Sequence, residues 1–204
     1  MRIVMSALIL ALAGCAAKVS SVPREPYQEV FIPTGDGMSY FNNDSRRLCY
    51  TFSVPGQWVA ARQPGMLRTP DTTAIVGVAL ISERELPAST TEDLVTRAAR
   101  DLTASYERDL GRPLTGVRII PADEIRPGAK RWQPDDPVTK AGRLGMLPPA
   151  VLVPLRPGWV AQLTAVGTRD DEAMLRHLLA SLQTSDARDC YWPTIRRLAP
   201  NFRP

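Results

Sequence analysis

Proline placement is the tightest constraint on what this chain can fold into. The chain carries 19 prolines in 204 residues, roughly twice the usual share of about 5%. A ring that fixes φ and removes an N–H breaks helix interiors and central strands, so one long helical array is excluded. The prolines avoid the middles of two stretches, 89–110 and 170–182, and gather before position 45, between 121 and 149, and after 190. A hydrophobic share of 44% is too high for a wholly disordered chain. No uninterrupted run of 18 apolar residues is present to form a membrane-spanning helix.

Between the proline clusters the hydrophobic pattern changes period. Leu48, Tyr50, Phe52 and Val54 alternate with Cys49, Thr51 and Ser53, which predicts a half-buried strand. Ala74 to Ile81 is apolar on both faces, which predicts a central strand needing cover on two sides. Leu94, Val95, Ala98, Leu102, Tyr106 and Leu110 then recur at helical spacing. Ser89 and Glu92 make a capping box for that helix, Asp93–Arg97 and Arg97–Asp101 stand at i,i+4, and Gly111 is its expected stop. Val117 to Ile120 and Lys130 to Gln133 read as short strands. A hairpin turns at Arg156-Pro157-Gly158, and Pro154 marks its first arm as an edge strand or a bulge. A last helix is expected from Asp170 to Leu182, capped by Thr168, with Met174, Leu175, Leu178, Leu179 and Leu182 as its buried stripe. The plan is α+β, one antiparallel sheet packed by helices.

This order of elements, with Phe52-Ser-Val-Pro-x-x-Trp58 opening the domain and Leu178-Leu-Ala-Ser-Leu182 closing it, resembles the Mog1/PsbP-like fold. The resemblance covers about residues 47–184 and implies an α/β/α sandwich. Proteins of this fold include GTPase-release factors, a photosystem extrinsic subunit and bacterial lipoproteins, so the resemblance implies an architecture and no particular activity.

The N-terminus says where the chain goes. Arg2, an apolar stretch from Ile3 to Leu12 and then Leu12-Ala13-Gly14-Cys15 resemble a signal peptide ending in the lipobox of bacterial lipoproteins. The resemblance implies diacylglyceryl transfer to the Cys15 thiol, cleavage before it, and acylation of the new terminus, enough lipid for stable anchoring. An ordinary signal peptide with a coincidental Cys is the alternative. Ala16, in place of Asp, is the enteric pattern for the outer membrane facing the periplasm. With Cys15 lipidated, Cys49 and Cys190 remain. An even pair in an oxidising envelope reads as a disulfide, with two free thiols as the alternative. Closing a loop of roughly 140 residues would contribute about 4–5 kcal/mol on the chain-entropy model.

The expected organisation is therefore a signal peptide at 1–14, a lipid-anchored tether and docking segment at 15–45, an α+β domain at 46–185 and an irregular tail at 186–204. The docking segment contains the apolar patch Val30-Phe31-Ile32 and ends in a turn cluster, Asn42-Asn43-Asp44-Ser45.

Chemistry is harder to find. His177 is the single imidazole, and no motif around Ser181 or Asp170 supplies it with a nucleophile or carboxylate. Asp135-Asp136 lacks the further ligands and Gly of a calcium loop. Nucleophile-elbow, zincin, Walker and dinucleotide motifs are absent. No catalytic residue, metal site or cofactor is expected, and a net charge of +4 gives no case for nucleic acid. Small basic groups occur at Arg46-Arg47, Arg126 to Arg131 and Arg196-Arg197. Trp58, Trp132, Trp159 and Trp192 read first as core or edge packing anchors. Trp132 beside Lys130-Arg131, and Trp192, lie in irregular segments and are the candidates for ligand or partner contact. The reading is a non-enzymatic, lipid-anchored envelope module that binds a protein partner or supports an assembly. Its alternatives are a small-ligand or glycan-binding lipoprotein and, behind that, an envelope hydrolase.

Overall fold

Two adjacent strands with apolar side chains on both faces set the architecture. They are β6 (Ile75–Ser82) and β10 (Trp159–Val166), antiparallel in the register Val78↔Leu163 and Val76↔Ala165. The computed structural model describes residues 27–34, 36–44, 48–61, 64–135 and 149–186. Among them the elements, in order, are β1 (Tyr27–Pro33), β2 (Gly37–Asp44), β3 (Leu48–Pro55), β4 (Val59–Ala60), β5 (Met66–Arg68), β6, α1 (Leu94–Leu110), β7 (Arg118–Pro121), β8 (Lys130–Gln133), β9 (Ala150–Arg156), β10, α2 (Asp171–Ser181) and β11 (Gln183–Asp186). A 3-10 turn, Glu83–Glu85, follows β6.

The strands form two antiparallel sheets. The larger has seven strands in the order β4-β5-β6-β10-β9-β8-β7, and the smaller has four in the order β1-β2-β3-β11. The fold is mixed α+β and dominated by sheet, so the expected single sheet is corrected to two. On one face of the large sheet, Val76, Val78, Val151, Val153, Ala161 and Leu163 pack with Leu175 and Leu178 of α2 and with Tyr40, Tyr50, Phe52 and Val54 of the small sheet. On the other face, Leu152, Val160 and Trp132 pack with Val95, Ala98 and Ala99 of α1. Full burial of a side chain such as Leu178 or Phe52 contributes about 1.5–3 kcal/mol. The buried hydroxyl of Tyr50 donates to Val78 O at 2.8 Å and ties β3 to β6.

The small sheet absorbs the segment expected to dock as irregular chain. β1 and β2 pair from Tyr27↔Asp44 to Pro33↔Met38, and β2 pairs with β3 through Tyr40↔Phe52. Asn42 to Asp44 therefore belong to a strand and not to a turn, and the boundary expected at 46 falls between paired strands. Phe31 meets Tyr40 edge-on at 5.2 Å between centroids and Ile32 is buried, so these two residues of the apolar patch are packed.

Both helix starts also shift. Asp93, in extended backbone, caps α1 by accepting from Thr96 N at 2.9 Å, while Ser89 closes only a local turn with Thr91 N. Asp170 caps α2 through Ala173 N at 3.0 Å, and the Thr168 hydroxyl donates to Asp171 instead. Arg97 leaves its expected i,i+4 partners for Glu83 and the carbonyl of Pro87. Gly111 ends α1 at φ 66° as expected. In the β9–β10 hairpin, Gly158 turns at φ 78° and the register slips between Trp159 and Val160. That irregularity accommodates Pro154, which lies past the last β8 pair, Lys130↔Leu152.

Gly77 shows how tightly the centre is packed. A Cβ there would stand 2.3 Å from Met66 Sδ and 2.4 Å from the backbone oxygen of Gly65. Side-chain sulfur can move, but the carbonyl cannot without distorting the β5–β6 connection. Gly77→Ala should therefore destabilise the fold by about 1–3 kcal/mol, read as a lower urea midpoint at unchanged m-value. An unchanged midpoint would show that β5 yields freely.

Candidate functional site

The sequence candidates Lys130, Arg131 and Trp132 all lie on β8, and strand alternation sends them to opposite sides of the sheet. Lys130 and Trp132 face α1. Lys130 Nζ sits 2.7 Å from Asp93 Oδ2 and also bonds to the Thr96 hydroxyl. The N-cap carboxylate of α1 is thereby shared with a strand 37 residues away in sequence. Partial burial on its own raises the Asp93 carboxyl, but hydrogen bonds from Lys130, the Thr96 hydroxyl and the Thr96 N–H outweigh it and bring the pKa to about 2.

Arg131 points to the α2 side. Its Nη2 lies 2.7 Å from Glu124 Oε1 and 2.6 Å from Glu172 Oε2, clamping the β7–β8 connection to the first turn of α2. Burial alone lowers the guanidinium, and the two carboxylates more than offset it, so its pKa is raised. Glu124 is correspondingly lowered, chiefly by the Arg131 hydrogen bond.

Trp132 is a core residue. It is 0% exposed, its Nε1 donates to Thr103 Oγ1 at 2.9 Å, and its ring stacks on Tyr106 at 5.2 Å between centroids. Burial, with the charge of Asp109 as a smaller cause, pushes the Tyr106 hydroxyl up to about 12. Of the two readings open for Trp132, the packing anchor is the one that holds and the contact reading is corrected: the indole anchors the last strands of the sheet to α1 and offers no face to a ligand. The two cations beside it are paired to acids.

The other candidates separate as well. His177 is exposed on α2, and the Ser181 hydroxyl is held at Ser53, 3.2 Å from both its N and its O, which ties α2 to β3. Cys49 is fully buried in β3 and disulfide-bonded. Cys15, Cys190, Trp192, Asp136, Arg46-Arg47 and Arg196-Arg197 lie outside the described residues. Among the described residues no group of three His, Cys, Asp or Glu is placed to hold a metal ion, and no helix is long and apolar enough to cross a membrane. An open groove of about 590 Å³ runs between Glu83–Glu85 and the Pro157-Gly158 turn, with Trp159 at its wall.

What stays uncommitted at this end of the molecule is β7, the terminal strand of the large sheet. Ile119 lies opposite Trp132 and packs with the α1 cluster. Arg118 and Ile120 point to the other face. Ile120 is 38% exposed, one of two large apolar side chains so placed among the described residues. Arg118 is exposed and has no ion pair among the described residues. Neither is among the candidates drawn from sequence. The available signal was Pro121, since proline closing a short alternating run marks an edge strand.

The Lys130–Asp93–Thr96 junction has a pH signature. A carboxyl whose folded pKa lies below its unfolded value contributes stability that is present above about 3.8 and lost as pH falls towards about 2. Asp93→Asn keeps a competent cap and removes the charge. The variant should lose less stability than the parent between pH 4 and pH 2 in urea titrations; parallel pH profiles would show that the junction contributes nothing. Compared with known proteins, the chain matches no family model, no curated protein and no solved structure.

Proposed function

We propose that this is a lipid-anchored lipoprotein of the bacterial cell envelope, with a Mog1/PsbP-like domain that binds a protein partner without catalysing a reaction. The observation that carries the binding reading is the free end of the seven-stranded sheet, where β7 presents Arg118 and a 38%-exposed Ile120 beyond the buried Trp132. Around it the titratable groups are spent on structure: Lys130 on Asp93 and Arg131 on Glu124 and Glu172. Among the described residues there, no convergent set for acid–base work remains. The anchor is read from Leu12-Ala13-Gly14-Cys15, and the outer membrane, facing the periplasm, from Ala16.

In this account the lipid on Cys15 holds the chain at the membrane and the residues before β1 span the gap to the domain. A Cys49–Cys190 disulfide would fasten the tail to β3. The Mog1/PsbP-like assignment draws on the order of elements: antiparallel sheet, a helix on one face, a late hairpin and a closing helix on the other face. The ligand-binding alternative at Trp132 would need an open indole face, and that ring is buried.

Crosslinking in intact cells tests the proposal. The full-length chain should fractionate with membranes and yield a crosslinked species with a second protein, and Cys15→Ser should release it from the membrane. Recovery of monomer alone from membranes, across crosslinker lengths, would overturn the binding function. Membrane retention of Cys15→Ser would overturn the anchor.

A further inference from the structure

We infer that β7 receives an extended segment of the partner protein as an added antiparallel strand, and that this segment carries an apolar residue followed two positions later by an acid. The inference rests on the partner-binding reading above and names the partner's chemistry.

The β7–β8 ladder has a fixed hydrogen-bonding phase. Ala122 N donates to Ala129 O at 2.9 Å and Asp135 N donates to Gly116 O at 3.3 Å. Both bonds lie in the same register as Arg118↔Gln133 and Ile120↔Arg131. Hydrogen-bonded and non-hydrogen-bonded pairs alternate along an antiparallel ladder. Counting from either end, the main-chain groups of Arg118 and Ile120 turn inward to β8. Those of Val117 and Ile119, together with the carbonyl of Pro121, turn outward to the free edge.

Strand addition uses such outward groups for affinity and alternate side chains for specificity. In the pairing that β7 would make with a new strand, Arg118 and Ile120 fall at the non-hydrogen-bonded positions. There facing side chains come closest, with Cα atoms about 4.5 Å apart. Both side chains share the exposed face. A residue opposite Ile120 gains by being apolar, and a residue opposite Arg118 gains by being acidic. In an antiparallel strand the residue facing Ile120 comes first and the one facing Arg118 comes two positions later. Every strand pair already in this sheet is antiparallel. Arg118 and Pro121 also limit indiscriminate pairing, since a charge and a missing N–H are standard protections of a sheet edge. The unpaired cation therefore rejects most strands and selects an acidic one.

Two blocked, Thr-rich peptides serve as probes, one with a central Val-Thr-Asp and its twin with Val-Thr-Lys. Amide hydrogen exchange is followed residue by residue on the full-length protein. The acidic peptide should slow exchange at Val117 and Ile119 and leave Val59, on the opposite edge, unchanged. The lysine twin should bind more weakly, and Arg118→Glu should weaken the acidic peptide roughly fivefold while improving its twin. Equal binding of the twins, or no slowing at Ile119, overturns the inference. So does slowing that rises with protein concentration in the absence of peptide, which would make the occupant a second copy of this chain. A photocrosslinker in place of Ile120, used in cells, separates this inference from the reading beneath it. A crosslink to a partner segment with the apolar–x–acid pattern, lost in Arg118→Glu, supports it. Crosslinks from other surface positions but none from this one overturn the edge and leave partner binding standing. No crosslink from any position overturns both.

Discussion

The rest of the molecule follows from one requirement: β6 and β10 carry apolar side chains on both faces and must be covered twice. Val76, Val78, Ala161 and Leu163 go to one side, where α2 and the small sheet close over them. Val160, with Ile81 beside it, goes to the other, where α1 lies. A two-layer arrangement would leave one of these faces in water, at about 25 cal/mol for each Å² of apolar surface. The three layers are the cheapest way to hide both, and they explain why the N-terminal strands are folded into the domain and do not hang from it. Tyr40, Tyr50 and Phe52 supply cover that two helices cannot reach.

The same sheet has to end, and β8, its last strand but one, braces that end. Its alternation hands Trp132 and Lys130 to α1 and Arg131 to α2. One strand of four residues thus locks both helices to the sheet, through a buried indole on one side and charge-assisted hydrogen bonds on both. The basic cluster that looks like a recognition patch in the sequence is spent on this junction. Beyond it stands a single strand, β7, whose outer edge pairs with no other strand among the described residues.

Local features of the fold were legible in the sequence; pairings across long separations were not. Helix α1 is announced by the spacing from Leu94 to Leu110 and by Gly111, and β8 by Lys130 to Gln133, because each is decided by near neighbours. The α1 cap is ambiguous in the sequence because Ser89 and Asp93 both suit the role. The choice falls to Asp93, which also meets Lys130, a contact set by tertiary structure. The second sheet was hidden for the same reason. Asn42 and Asn43 favour turns locally, and they are held extended by pairing with β1, Asn42 also by pairing with Tyr50 of β3. For Trp132 the sequence leaves packing anchor and contact residue both open, and only Thr103 and Tyr106, on a helix that precedes it in sequence, decide for the anchor. The edge at β7 could be suspected from Pro121, but the freedom of Arg118 is a property of what surrounds it in space.

Strand β7 is bonded to β8 on one side and, among the described residues, open on the other. Residue-resolved amide exchange on the purified protein alone reads this directly. The ladder phase predicts slow exchange at Arg118 and Ile120, whose N–H groups turn to β8, and fast exchange at Val117 and Ile119, whose N–H groups face outward. Uniform protection along 117–120 would mean that the edge is already covered, and would contradict the account.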